Sequence, residues 1–376
     1  MSTATDRNLT TDGDTCQFTR WQKQSLRRKL LAWYKKHARD LPWRRSRDPY
    51  RVWISEIMLQ QTQVATVRKY FARFIRAFPN VWRLAAADEE QVLRVWEGLG
   101  YYRRARQLHA AAQQVVAEHD GQFPRSPGEL RKLPGIGRYT AGAIASIAFD
   151  QRAPILEANT IRLLSRLIAY RPDAHAAAGQ RLLWRVAEDI LPQKKVAQFN
   201  QALMEVGSLV CTPSEPSCSQ CPLWRLCGAY SAGLQHEIPR AKPRQQYTAV
   251  HEAAVIVSKN GRVLMRQCAP DERWAGLWDF PRFALPTDGP LFAGDELVKK
   301  LQAQTGVTCS IPIRLNTMRH GVTRYRITLD CYQARHLAGR ARAPNGSAIR
   351  WTAISELPAL PLSTTGRKIA ALVSDL

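Results

Sequence analysis

Residues 133–159, LPGIGRYTAGAIASIAFDQRAPILEAN, carry the reading that decides the fold of this 376-residue chain. Pro134 stops a preceding helix, and Gly135 and Gly137 supply a turn that few side chains tolerate. The small-residue run from Tyr139 to Phe149 then reads as a helix. Free backbone N–H groups at such a helix start aim at an anion. Beyond the helix, Glu157 places a carboxylate. Taken alone, LPGIG also fits an ordinary corner between two helices, so the neighbouring sequence has to decide.

Outward from this stretch the chain is basic: 55 Lys and Arg against 31 Asp and Glu give a formal net charge of +24. The excess is spread along the chain, not gathered in a tail, which points to a polyanionic partner. Many of the cations sit among aromatics and glycine turns, as in GLGYYRRARQ at 98–107. Residues 1–20, rich in Thr, Asp and Asn without an apolar stretch, read as a disordered tail and not as a secretory signal. No apolar run approaches membrane-spanning length, so a cytoplasmic protein is expected.

Eight cysteines are present, of which Cys16, Cys268, Cys309 and Cys331 are scattered singly. The others, Cys211, Cys218, Cys221 and Cys227, follow C-x6-C-x2-C-x5-C in a loop containing Pro213, Pro216 and Pro222. Four thiolates this close can surround one metal centre. A four-cysteine zinc site is one reading, and two disulfides are a poorer one in a cytoplasmic chain. Zinc ribbons pair two short knuckles, whereas here one C-x2-C has unequal arms, which favours a [4Fe–4S] cluster.

This spacing, placed after LPGIGR-x-TA, resembles the helix-hairpin-helix DNA glycosylases of the endonuclease III superfamily. The resemblance implies a cluster that organises a small basic loop against the DNA backbone and takes no part in base removal. Lys194, Lys195 and Arg225 are near enough in sequence to join that surface. Further stretches, LPWRRSRDPYRVW (41–53), GLGYYRRARQL (98–108), LPGIGRYTAGAI (133–144) and PILEANTIRLLSRL (154–167), are together similar to the adenine DNA glycosylases, the mismatch-repair branch. The likeness covers roughly residues 25–230, and its strength is several independent motifs in the right order.

The segment 51–74, RVWISEIMLQQTQVATVRKYFARF, has helical apolar spacing at 53, 57, 64, 67, 71 and 74. Glu56 is followed by eleven residues without another charge, beside glutamines able to hydrogen-bond a base edge. In an apolar pocket its pKa would rise, as suits a general acid. The resemblance implies that Glu56 protonates adenine at N7 and that Glu157 faces the positively charged sugar. It further implies that Tyr139 and Asn159 position that carboxylate and the nucleophile, that Arg44 and Gln61 contact the extruded adenine or its surroundings, and that Tyr101 wedges beside the orphan base. Gly135 and Gly137 would meet the DNA backbone. Bifunctional relatives carry lysine at position 139 to form a Schiff base, so Tyr139 predicts a monofunctional enzyme. One departure stands out: the family usually reads D-G-N where this chain reads Glu157-Ala158-Asn159.

From 228 to 249 the sequence holds prolines and cations without helical period and reads as a linker. Beyond it, AAVIVS (253–258) and RVLMRQ (262–267) flank Asn260-Gly261 as a hairpin. VTRYRITLDCY (322–332) alternates as a strand, and helices are expected near 295–304 and 364–373. GLWDFPRF (276–283) resembles a loop of Nudix-related domains, yet the stretch 299–306, KKLQAQTG, lacks the metal carboxylates of a Nudix hydrolase. In the adenine glycosylases the appended domain recognises 8-oxoguanine through a Phe-Ser-His loop, matched here by Met318, Arg319 and His320.

The expected architecture is therefore multidomain: a disordered tail (1–20), an all-α helix-hairpin-helix glycosylase domain (21–210), an iron-sulfur cluster loop (211–227), a linker (228–249) and a C-terminal α+β Nudix-like domain (250–376). The expected activity is monofunctional hydrolysis of the N-glycosidic bond of adenine mispaired with 8-oxoguanine or guanine in double-stranded DNA, by a nucleoid-associated cytoplasmic monomer carrying one [4Fe–4S] cluster. The same scaffold could instead act on another damaged base. A non-catalytic mismatch-binding protein, with Glu157 silent, is the reading from a different class.

Overall fold

The computed structural model describes residues 18–241, 246–285, 294–342 and 347–374. The helices are α1 (Arg20–His37), α2 (Pro49–Leu59), α3 (Val64–Ala77), α4 (Val81–Ala85), α5 (Glu89–Trp96), α6 (Arg103–His119), α7 (Pro127–Leu130), α8 (Arg138–Phe149), α9 (Ala158–Leu167), α10 (Ala177–Asp189), α11 (Val196–Leu209) and α12 (Gly228–Ser231), followed by α13 (Gly294–Thr305) and α14 (Thr364–Ser374). Two compact units form, one from residues 1–85 with 110–243 and one from 86–109 with 244–376.

In the first unit the apolar faces of α1, α9, α10 and α11 share one core, including Leu26, Leu30, Leu164, Leu167, Phe199 and Leu203, all at most 1% exposed. Phe18 is buried in the same core, so the expected tail ends earlier than residue 20; residues 1–17, with Cys16, lie outside the described residues. The helix expected over 51–74 is in fact two. α2 buries every residue from Val52 to Met58, whereas α3 buries only Val67, Phe71 and Phe74. The break between the enclosed helix and the one buried on a single face falls at Gln61, which takes a left-handed backbone (φ 56°).

Helix α8 is made of residues small enough to let other chains come close: Ala141, Gly142, Ala143, Ala145 and Ser146 are all buried. At Gly142 any Cβ would stand 2.2 Å from the Pro154 carbonyl oxygen. The segment that carries Glu157 therefore lies directly against this helix. Asn200 of α11 fastens the same contact, donating to Ser146 Oγ and to the Ala153 carbonyl, each at 2.9 Å.

The second unit contains an eight-stranded sheet. β1 (Thr248–Lys259) pairs in parallel with β7 (Tyr325–Gly339), while β2 (Arg262–Gln267) pairs antiparallel with β1 across the expected Asn260-Gly261 turn, and with β3 (Trp278–Asp279). β4 (Arg282–Leu285), β5 (Val307–Cys309), β6 (Ile313–Val322) and β8 (Ile349–Ala353) add to β1, β7, β7 and β2 respectively. Alternate residues of β1 face opposite cores. Ala253, Val255 and Val257 pack with Leu297 and Leu301 of α13, and Ala254 and Ile256 with Ile369 and Ala370 of α14. The expected strand over 322–332 begins later, because Thr323 turns the chain (φ 49°) between β6 and β7. Met318, Arg319 and His320 consequently lie within strand β6 and not in a loop. The expected linker also contains the short α12, and β1 starts at Thr248. On α13 the only carboxylates, Asp295 and Glu296, are in the first turn.

Candidate active site

Asp48 caps α2 by accepting from Tyr50 N at 3.0 Å, Pro49 occupies the first helical position, and the buried helix carries Glu56 inward, 5% exposed. The Tyr139 hydroxyl, from the first turn of α8, donates to Glu56 Oε2 at 2.5 Å. Oε1 keeps no hydrogen-bond partner among the described residues. Burial pushes the Glu56 carboxyl up to about 7; Tyr139 and Arg44 oppose the rise, and the charge of Glu157 adds to it. The Tyr139 hydroxyl, itself buried, is raised well above its ordinary range, so it is a donor at any working pH.

Glu157 is the N-cap of α9, and its longer side chain folds back on the helix end. Oε1 accepts from Thr160 N at 3.0 Å, and Oε2 from Asn159 N at 2.8 Å and Asn159 Nδ2 at 3.1 Å. The Thr160 hydroxyl accepts from Glu157 N at 2.7 Å, completing a capping box. Burial raises the Glu157 carboxyl, and the Asn159 and Thr160 N–H groups, with Arg162, work against it. Two carboxyls that sense each other thus sit in unlike settings, one facing a single hydroxyl and the other three N–H groups at a helix start.

Arg162, which the motif reading passed over, orients Asn159. Its Nη2 donates to Asn159 Oδ1 at 2.8 Å and to the Gly207 carbonyl at 2.6 Å, and its Nε to the Cys211 carbonyl at 2.6 Å. With Oδ1 so occupied, the Asn159 amide must turn Nδ2 toward Glu157. Gly207 is required at its position, because a Cβ there would stand 2.9 Å from Asn159 Cβ. From the same helix, Met204 Sδ accepts from the Tyr139 hydroxyl at 3.5 Å. The signal in the sequence was ANTIRLLSRL, where two arginines four apart interrupt an apolar run.

The second of these, Arg166, is 2% exposed and turned to the cysteine loop: it donates to Cys211 Sγ at 3.3 Å and to the carbonyls of Thr212, Pro213 and Ile238. Cys211, Cys218, Cys221 and Cys227 are free thiols lining one cavity of about 380 Å³, open mouth included, with Leu163, Leu167, Leu223 and Trp224. Leu223 N donates to Cys221 Sγ at 3.4 Å. Among the described residues no three His, Cys, Asp or Glu side chains converge as on a single ion. An apolar cavity ringed by four sulfurs, with N–H and guanidinium donors to them, fits a group larger than one ion and negatively charged overall.

The hairpin is present as α7, a turn and α8. Gly135 has φ 73°, but Gly137 has φ −84° and open space around a Cβ, so the fold itself demands glycine only at the first. Gly137 is the N-cap of α8 and offers no side-chain cap, leaving the helix start uncovered.

The chain matches the model of the HhH-GPD superfamily base excision DNA repair protein over residues 54–189, and that of the NUDIX domain over 252–372. It is 34% identical over 406 residues to the adenine DNA glycosylase of Mus musculus, an alignment spanning 93% of this chain and 78% of that one. The chain belongs to the adenine DNA glycosylase family. An adenine DNA glycosylase of Buchnera aphidicola subsp. Baizongia pistaciae (strain Bp) is 44% identical over 266 residues, 69% of this chain and 74% of that one. Among solved structures, a thermostable thymine-DNA glycosylase superposes with a TM-score of 0.51 at 28% identity, covering 57% of this chain and 99% of its own. As an adenine DNA glycosylase this is a base excision repair enzyme of the helix-hairpin-helix type with a C-terminal Nudix-like domain.

Within the adenine glycosylase frame, Glu56, Tyr139, Glu157 and Asn159 come together as one constellation. Arg44 joins their edge, close enough for its charge to act on Glu56. Gln61 is exposed at the left-handed turn after α2. Tyr101 belongs to the second unit, half-exposed with φ 49°. Lys194, Lys195 and Arg225 are exposed. No helix among the described residues is long and apolar enough to cross a membrane.

Proposed function

We propose that the enzyme is monofunctional and hydrolyses the N-glycosidic bond of adenine mispaired with 8-oxoguanine or guanine. The observation that carries this is the unequal pair: Glu56, raised to about 7 and hydrogen-bonded among the described residues by Tyr139 alone, against Glu157, gripped by three N–H groups. Glu56 holds its proton on the free Oε1 and gives it to N7 of an extruded adenine, drawing electrons out of the C1′–N9 bond as that bond breaks. Glu157 stays ionised to face the oxocarbenium ion, and Asn159, turned by Arg162, holds it there and guides the attacking water, whose proton passes to the Glu56 carboxylate left after donation to N7. Tyr139 cannot form a Schiff base with the sugar, which favours hydrolysis without strand cleavage.

Arg44 and Gln61 contact the extruded adenine, and Tyr101 enters the stack beside the orphan base. Gly135, Gly137 and the uncapped start of α8 meet a phosphate. Met318, Arg319 and His320 on β6 read the opposite base; Arg319 is exposed and has no ion pair among the described residues. Cys211, Cys218, Cys221 and Cys227 would hold one [4Fe–4S] cluster, which would brace the loop bearing Arg225 against DNA and leave base removal to the carboxylates. Iron and sulfide each near four per chain, against one zinc, is the test of that assignment. A cytoplasmic location on the nucleoid completes the reading.

The decisive experiment is single-turnover release of adenine from duplexes placing it opposite 8-oxoguanine, guanine and cytosine. We expect release from the first two, no strand scission, and a rate that declines as pH rises through about 7, where Glu56 loses its proton. Glu56→Gln should lower the rate by about a hundredfold or more. Release unaffected by that change would remove Glu56 from its role, and binding without release would leave only a mismatch-binding protein.

A further inference from the structure

One fully buried carboxylate of the first unit lies outside the catalytic pair. Glu205, on α11, accepts from Arg39 N at 3.1 Å and Nε at 2.6 Å through Oε1, and from Arg39 Nη2 at 3.0 Å and Arg44 Nη2 at 2.8 Å through Oε2. Burial works upward on this carboxyl, but the two guanidinium groups bring it down to about 2, so it is an anion at every working pH. Arg44, mostly buried, is held between this anion and the Tyr34 ring, 5.9 Å below its guanidinium. Its positive charge favours ionisation of Glu56. An acid catalyst is poorly served by a bare cation at its side.

We propose that Glu205 is a positioning residue for Glu56: it pins the Arg44 guanidinium beside the catalytic pair and offsets part of the charge that would otherwise draw the proton from the acid. The inference rests on Glu56 being the acid. The groups acting on Glu56 are Tyr139 from α8, Glu157 from the start of α9 and Arg44 from the 3-10 turn Pro42–Arg44. Behind Arg44 stand Glu205 of α11, Arg39 before the turn and Tyr34 of α1. Of these only Glu205 is held as an anion by paired guanidinium groups. Glu205 alone offsets Arg44, and it does so without occupying space at Glu56.

The test is the pH profile of single-turnover adenine release by the full chain, over about pH 5 to 9. Glu205→Gln leaves Arg44 uncompensated, so the alkaline limb should move down by about one unit. Arg44→Met takes the cation from beside Glu56 while Arg39 still holds Glu205, so it should move the limb up, and the double variant should fall between. A limb that stays in place in both single variants, with only the plateau lowered, overturns the proposal. Because the neutral variant removes the anion from a buried ion-pair network, Glu205→Asp serves as the conservative rescue and should restore the limb. The 13C-carboxyl titration of Glu56, assigned by its loss in Glu56→Gln, reads the same displacement without turnover. A displaced titration in a protein that released no adenine would uphold Glu205 and sink only the proposed function, whereas an undisplaced one would sink Glu205.

Discussion

At Glu157 the chain keeps the charge that its family resemblance implies but adds a methylene, and the structure shows where that length goes. The side chain curls back so that both oxygens meet N–H groups of Asn159 and Thr160. Aspartate caps helices as well as any residue, so Glu157→Asp should leave thermal stability within about 0.5 kcal/mol. Yet it withdraws the carboxylate by about one bond from the sugar, and a shift near 1 Å can cost up to about a hundredfold. Adenine release slowed at least about tenfold with an unchanged melting temperature is the expected outcome; an unchanged rate would mean the extra length has no bearing on chemistry. Gly137 gives the opposite kind of test. Its backbone is ordinary and its surroundings empty, so Gly137→Ala should not alter the melting temperature, while a methyl at an uncapped helix start should weaken duplex binding about tenfold if a phosphate docks there. Equal affinity of the two proteins for DNA would remove the hairpin from the interface.

Among the elements, α9 joins two sites that the sequence presented as separate motifs. One face of its start holds Glu157 and Asn159, and Arg162 and Arg166 turn to Cys211 and the loop after it. The two arginines in an apolar run were visible beforehand, but what they reach was not, because a hydrogen bond to a backbone carbonyl leaves no mark in residue type. α11 was equally silent: Met204, Glu205 and Gly207 act on Tyr139, Arg44 and Asn159, yet nothing in VAQFNQALMEVGSL resembles a motif. By contrast the meeting of Glu56 with Tyr139 follows what the family resemblance implies, and the gathering of the four cysteines at one cavity follows their close spacing in C-x6-C-x2-C-x5-C. The helix over 51–74 misled because apolar periodicity persists across a turn that only the left-handed Gln61 reveals. Removing the linkage should have a double effect. Arg162→Gln frees Asn159 Oδ1 and strips the Gly207 and Cys211 carbonyls of a charged donor, a loss of about 1–3 kcal/mol. Because the Asn159 amide is then free to flip, the rate should fall by about tenfold even at temperatures where the variant is fully folded; chemical denaturation and single-turnover kinetics on one preparation separate the two losses.

For the whole molecule, the change of hydrophobic period near residue 250 marks where the strands begin, whereas the grouping of residues 86–109, expected in the glycosylase domain, with the sheet-bearing unit was not legible, and neither was the parallel pairing of β1 with β7. Strand periodicity reports burial on each face and says nothing of which partner lies alongside. The net charge of +24 was legible too, and it has a consequence that belongs to no single site. Cations on the DNA-facing surface release counterions from the duplex, so affinity must fall with salt in proportion to the phosphates neutralised. With about six such contacts, raising salt from about 50 to about 200 mM should weaken binding to undamaged duplex by about a thousandfold. The chemical step is different, since Glu56 and Glu157 are buried and screened little by solvent ions. Fluorescence anisotropy should therefore show steep salt dependence, while single-turnover release at saturating enzyme should vary by less than about twofold over the same range. Affinity that ignores salt would detach the charge excess from DNA, and a salt-sensitive chemical step would mean that the two carboxylates are more open to solvent than their hydrogen bonds and burial imply.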